Sequence, residues 1–274
     1  SGYRDSGYVD AKVTPQVTLN REDKSTTVIQ NVEEGQLKYI RDIKITGNNV
    51  TKDEVIRRML LLQPGDRYDG NLLRASQRQL ESTEYFDEVR VTLENDPTDE
   101  RFADLLVDVD EGDTGNFNFG AGVSSTEGLG GFIEFKLNNF DITNWPTFQG
   151  GGQQFSTRFN IGQVRTDYSL SFTDPQFLGY PLSFGFDVFD EQVDARGGTR
   201  FDQQTQGLQL RFAKALSPYN TARTSLRYND FSVSGFGNFF LSKDLRELRD
   251  PGTTIANAWG FNRNTVDSYR DPSS

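Results

Sequence analysis

The chain has 274 residues, room for two domains or for one domain and part of a larger one. A formal net charge of -11 leaves no basic surplus to neutralise phosphates, which excludes a nucleic-acid partner. The lack of Cys and His removes disulfides, thiolate chemistry, the commonest metal ligand and the commonest general base. No apolar run reaches the roughly eighteen residues that a membrane-spanning helix needs, but 22 Phe and 10 Tyr leave a membrane β-barrel open, because its strands spend half their residues on a polar lumen.

Ser1-Gly-Tyr-Arg-Asp-Ser6 is polar and does not read as a signal peptide, so under a membrane reading the true N-terminus is expected to lie elsewhere. Tyr8-Val-Asp-Ala-Lys-Val13 and Ser25-Thr-Thr-Val-Ile-Gln30, followed by Val32-Glu-Glu-Gly35, parallel a later hairpin that ends in Val109-Asp-Glu-Gly112. Residues 1–36 are therefore expected to be the C-terminal part of a repeat unit that recurs over 37–112.

That second copy reads as β-α-α-β-β. Tyr39–Thr46 alternates through Ile43 and Ile45 and ends in the turn residues Gly47-Asn48-Asn49. Thr51-Lys-Asp-Glu54 predicts a capping box, with Val55, Met59 and Leu62 at helical spacing behind it and a stop at Gln63-Pro-Gly65. A second helix is expected from Asp69 to about Thr83, its apolar side formed by Leu72, Leu73, Ala75 and Leu80. Phe86–Leu93 and Phe102–Val109 follow as strands, with Val89, Val91 and Leu93 alternating against Glu88, Arg90 and Thr92, the pattern of a sheet covered on one face.

Near residue 113 the composition turns to Phe, Gly, Asn, Gln, Ser and Thr, and helical spacing disappears. Eight strands are expected at 115–124, 129–139, 152–163, 166–175, 181–192, 203–215, 220–232 and 254–264. Phe117, Phe119, Ala121 and Val123, then Ile133, Phe135 and Leu137, then Phe155, Phe159 and Ile161, and then Tyr168, Leu170 and Phe172 form outward apolar sets. Leu182, Phe184, Phe186 and Val188, then Leu208, Leu210 and Phe212, and then Leu226 and Tyr228 continue them. Asn116, Asn118, Glu134, Lys136, Gln154, Arg158, Asp167, Ser169, Gln209, Arg211, Ser225 and Arg227 form the opposite, polar set. A period of two with one apolar and one polar face fits a sheet between lipid and a watery lumen. Pro175–Pro181 and Ser217–Asn220 are short connections and Phe236–Pro251 is long and charged, so the short ones are expected on the periplasmic side.

No pair of carboxylates carries the marks of catalysis, and Asp108, Asp110, Glu111 and Asp113 read as a solvated acidic linker. Asp96-Pro-Thr-Asp-Glu100 lacks the Gly and terminal Glu of a calcium loop and reads as a hairpin tip. Gly128-Leu-Gly-Gly131 and Gly150-Gly-Gly152 lack the strand-loop-helix context of a phosphate cradle. No enzyme activity, cofactor or metal is expected.

Gly47-Asn48, Gly65-Asp66, Tyr85-Phe86-Asp-Glu-Val89, Val109-Asp-Glu-Gly112, Asn138-Asn-Phe140, Phe172-Thr-Asp-Pro-Gln-Phe-Leu178 and Gly185-Phe-Asp187 occur in one order along the chain. On these residues the repeat unit resembles the POTRA domain, and residues 113–274 resemble the N-terminal portion of the surface-antigen barrel of BamA-type outer-membrane assembly proteins. The implied fold class is an α+β POTRA domain followed by the N-terminal half of an antiparallel transmembrane β-barrel of about sixteen strands. The family's late Val-Arg-Gly-Tyr/Phe loop motif has no counterpart, since Arg196-Gly-Gly-Thr199 has the wrong neighbours, whereas Asn262–Asp267 resembles the family strand that precedes a further turn.

The resemblance implies a protein of the bacterial outer membrane, with its POTRA part in the periplasm, that inserts other barrels. Its partners would be unfolded outer-membrane protein clients, outer-membrane lipids and accessory assembly lipoproteins. It also implies that Asn116, Phe117, Asn118, Phe119, Gly120, Ala121, Gly122 and Val123 form a lateral-gate strand whose edge client strands pair with. The low side-chain bulk there is equally that of glycines relieving crowding at a seam. Glu88, Val89, Arg90, Val91, Thr92 and Leu93 form an edge suited to β-augmentation, or a spacer protected by its charges. Two other readings stand: a polypeptide-secreting transporter of the two-partner secretion or TamA type, and a soluble β-rich binding or adhesin module.

Overall fold

The computed structural model describes residues 7–20, 25–125, 128–194, 201–217, 219–234 and 252–263. The Arg196–Thr199 loop, the Phe236–Pro251 loop and residues 264–267 of the late family-like strand lie outside them. The chain divides into two compact units, Ser1–Asp113 and Thr114–Ser274.

The first unit opens with a hairpin of β1 (Lys12–Asn20) and β2 (Ser25–Glu33). A second sheet follows, built from β3 (Tyr39–Thr46), β4 (Phe86–Asn95) and β5 (Phe102–Glu111) in the order β3-β5-β4, with β3 parallel and β4 antiparallel to β5. Helices α1 (Asp53–Arg57) and α2 (Gly70–Glu81) connect β3 to β4. Of the expected apolar positions Ile43, Val55, Leu62, Leu80, Val89 and Val91 are buried together, joined by Ile40, Ile56, Leu105 and Val107, whereas Leu72 of the expected helix face is exposed. Asp69 caps α2 by accepting from the amides of Asn71 and Leu72. Ser76, buried on α2, donates to Leu72 O at 2.8 Å and accepts from the Leu61 amide at 2.8 Å, tying the end of the α1 segment to α2.

The capping box does not form. The N-cap of α1 is Lys52, with no side-chain cap, and the helix runs only to Arg57, so Met59 and Leu62 reach the core from the following turn. The cap amide of Thr51, which Glu54 was expected to serve, points instead at Glu111, at the end of β5. Its carboxylate accepts from the backbone N–H groups of Asn49 (2.8 Å), Val50 (2.9 Å) and Thr51 (2.6 Å). An anion held by three amides outcompetes a local side-chain cap. Burial pushes the Glu111 carboxyl up, and the hydrogen bonds from Thr51, Val50 and Asn49 outweigh it, leaving it below its ordinary value.

The second unit is one antiparallel sheet in chain order: β6 (Gly115–Ser124), β7 (Gly128–Phe140), β8 (Gln153–Gly162), β9 (Arg165–Asp174), β10 (Ser183–Val193), β11 (Asp202–Ser217), β12 (Asn220–Ser234) and β13 (Gly252–Arg263). The register puts the expected apolar sets on one face, for example Phe119 opposite Ile133, Ile133 opposite Phe159, Phe172 opposite Phe186, Phe186 opposite Leu210 and Leu210 opposite Leu226. The polar set shares the other face. There Arg211 grips Asp187 through Nε (2.6 Å) and Nη2 (3.0 Å) and also donates to Ser171 and Thr173, joining β9, β10 and β11.

The two short connections expected on one side do share one end of the sheet, and a longer one joins them there. Because strands alternate in direction, residues 141–152, 175–182 and the turn at 219 lie at the Gly115 end of the sheet, and 163–164 at the other. The 141–152 connection is longer than its opposite neighbour 163–164. The reason is a built loop, described below.

Candidate functional site

The two segments singled out from sequence lie in different units, and the structure makes each of them a sheet edge. Among the described residues strand β4 pairs only with β5, leaving its other side open. Along it Val89 and Val91 turn into the core beneath α2, while Glu88, Arg90 and Thr92 face solvent. Arg90 pairs with Glu88 at 2.5 Å, so this edge carries charge of both signs.

The central strand that holds β4 is itself fixed by ions. Asp104 on β5 is buried beneath Arg41 and Lys44 of β3, accepting from Arg41 Nε (2.9 Å) and Nη2 (2.7 Å), with Lys44 Nζ at 2.7 Å. Arg41 also contacts Asp96. The Arg41 hydrogen bonds, and then that of Lys44, hold the Asp104 carboxyl at about 2. Lys38, also buried, reaches Asp10 at 2.8 Å and donates to Asn95 at 2.7 Å, fastening the segment that leads into β1 to the end of β4.

Among the described residues strand β6 pairs only with β7 and is exposed along almost its whole length, with Phe117, Phe119 and Val123 standing out from the apolar face. Across to β7, Asn118 donates to Glu134 at a long 3.4 Å, where the interior strands carry the closer Arg211–Asp187 tie. The glycines have separate roles. An added Cβ on Gly120 would lie 2.7 Å from the Phe132 ring, over which Arg158 stacks at 5.2 Å, so Gly120 makes room for a packed aromatic. Gly122 has open space around it and faces Gly130 across the ladder, and Ala121 faces Gly131. The half of the hairpin away from Gly115 is therefore held mainly by backbone.

Sequence reasoning missed Glu111, Lys38, Asp104 and the Asp187–Arg211 tie as organising groups. Only Glu111 carried a visible signal, the recurrence of Glu-Gly at residues 34–35 and 111–112. Among the described residues no cluster of acidic side chains suits a metal, and no helix is long and apolar enough to cross a membrane.

A β-α-α-β-β unit ahead of a meander of antiparallel strands with one apolar and one polar face defines a barrel protein that carries a POTRA unit. Residues 38–112 match the POTRA family, the surface antigen variable number repeat, and residues 147–274 match the Omp85 superfamily domain. The chain is similar to Omp85-superfamily proteins of the BamA type. The outer membrane protein assembly factor BamA of Neisseria meningitidis serogroup B is 28% identical over 238 residues, 84% of this chain and 28% of its own length. BamA of Nitratidesulfovibrio vulgaris is 28% identical over 271 residues, 98% of this chain and 32% of its own. The crystal structure of Haemophilus ducreyi BamA lacking POTRA domains 1-3 superposes with a TM-score of 0.75 at 23% identity, covering 98% of this chain and 52% of that one. The chain thus spans about a third of the length of the curated relatives it matches.

Proposed function

We propose that this chain is the junction region of an outer-membrane β-barrel assembly factor, and that two of its sheet edges, β4 and β6, are where unfolded client proteins are received and built. The observation that carries the proposal is β6: an edge strand paired on one side only, at the end of a sheet with an apolar and a polar face. In the bilayer such an edge demands a partner, because unpaired backbone groups cost several kcal/mol each in hydrocarbon (~2–7). A client strand adding to Asn116–Val123 satisfies both chains at once. The β4 edge, Glu88–Leu93, offers the same backbone pairing to extended client segments in the periplasm.

The work is non-enzymatic. Burial of the client's apolar face and pairing of its backbone supply the free energy, with no nucleotide or cofactor. Outer-membrane lipids and accessory lipoproteins complete the partner set, and nucleic acid has no place in it. Residues 1–36 close a preceding POTRA unit: Gly35 lies against Asp10 as Gly112 lies against Asp87, and Val13, Val17 and Val28 occupy the ladder face that Val89, Leu93 and Leu105 occupy in the next copy.

The test is reconstitution of the full-length protein in liposomes with a urea-unfolded outer-membrane barrel as client. Faster acquisition of heat-resistant, protease-protected client than in protein-free liposomes is expected. Passage of the client into the vesicle interior without insertion would point to a secretion pore and overturn the proposal.

A further inference from the structure

We propose that the β7–β8 connection, residues 141–152, is a preformed membrane-interface anchor that seats Ile142 and Trp145 in the headgroup boundary of the leaflet on the Gly115 side. This rests on the membrane reading above.

The loop is built rather than merely long. Asn139, at φ 56, accepts from Gly150 N through its carbonyl (2.8 Å) and from Gly152 N through Oδ1 (2.9 Å). Asp141 N donates to Phe148 O (2.9 Å), and Ile142 N to Gln153 Oε1 (2.9 Å). Gly151 has no room for a side chain, since a Cβ there would lie 2.8 Å from the Asp141 side chain.

A ladder of rings then fixes which way the loop lies. Phe148 stacks on Phe140 at 5.6 Å, Phe140 on Phe155 at 5.3 Å, and Phe140 meets Phe172 edge-on at 6.2 Å. Phe155 and Phe172 belong to the apolar face, so the loop folds onto the face assigned to lipid and not into the lumen. On top of this stack Trp145 packs edge-on against Phe148 at 5.2 Å and remains 78% exposed, with Ile142 54% exposed nearby in the loop.

A rigid loop presenting an exposed Trp and Ile on the lipid-facing side matches the chemistry of the bilayer interface. Its irregular backbone excludes it from the hydrocarbon core, and an indole with an apolar ring and one N–H donor favours the headgroup level. The other described connections at that end each present a tyrosine, Tyr180 and Tyr219, both more than half exposed. The three connections thus set one level, with 141–152 the first of them after β6 along the sheet.

The chain has two tryptophans, and the second, Trp259 on the apolar face of β13, supplies the internal control. The full-length protein and its Trp145→Phe and Trp259→Phe variants are reconstituted in phosphatidylcholine vesicles containing lipid brominated near the headgroup end or near the chain terminus. Each residue's emission is taken by difference. The Trp145 component should lose about half its intensity with shallow bromines and clearly less with deep ones. Quenching of Trp259 alone would place the loop in water or against protein and overturn the anchor while sparing the membrane reading. Quenching of neither would overturn both.

Discussion

Gly47→Ala is expected to destabilise the Ser1–Asp113 unit by about 3 kcal/mol or more, enough to unfold it in the cell. Gly47 sits at φ +89, where an L side chain is strained, and its Cβ would fall 1.8 Å from Val109 O and 2.9 Å from Val109 C. Both neighbours are backbone of the central strand, so relief requires β3 to part from β5. That parting also pulls the Asn49–Thr51 amides off Glu111. Gly65→Ala is the matched control, because Gly65 has φ +94 but open space around it, leaving only about 1 kcal/mol of conformational strain. Urea unfolding of the unit followed by circular dichroism separates the two. Equal losses would mean that the close approach at Val109 has no energetic consequence.

The paired substitution Gly122→Val with Gly130→Val is expected to slow client insertion roughly tenfold while leaving the barrel at least as heat-stable. These residues face each other across β6 and β7, Gly122 has nothing within 4 Å, and a Cβ on Gly130 meets only ordinary contacts at 3.4 Å and beyond. The first side-chain carbon is accommodated at both positions without displacement. A β-branched cross-strand pair, with the glycine entropy cost removed, strengthens this stretch by about 1–2 kcal/mol, which lowers the population of an opened β6 about tenfold. The measurement is the insertion rate in the liposome assay beside the thermal midpoint of the same protein. An unchanged rate with raised stability would show that β6 need not loosen.

The strands were legible because a sheet between lipid and water leaves a period of two in the sequence. Phe117–Val123 and Phe184–Val188 gave both the face and the bounds of their strands to within a residue or two. The POTRA order was legible from Gly47, Gly65 and the Tyr85–Val89 hairpin opening. What failed was local reading of groups that act at a distance. Thr51 and Glu54 form the letters of a capping box, yet Glu111, distant in sequence, takes the Thr51 cap amide. Glycine count along β6 did not reveal that Gly120 answers to Phe132 while Gly122 answers to nothing. The 141–152 loop escaped because Asn139 turns the chain by a left-handed residue, which composition does not encode.

The most direct test of the account is a cross-link from the edge of β6. The described chain has no cysteine of its own. In the full-length protein, cleared of any cysteine outside this chain, cysteines placed singly at Asn116, Asn118 and Gly122 can be paired with cysteines along the terminal strand of an assembling client. Disulfides in a single antiparallel or parallel register, formed during insertion and gone once the client is released, are the predicted result. Cross-links that never reach the client, or that form equally at β11 in the interior of the sheet, would contradict the assignment of β6 as the strand on which clients are built.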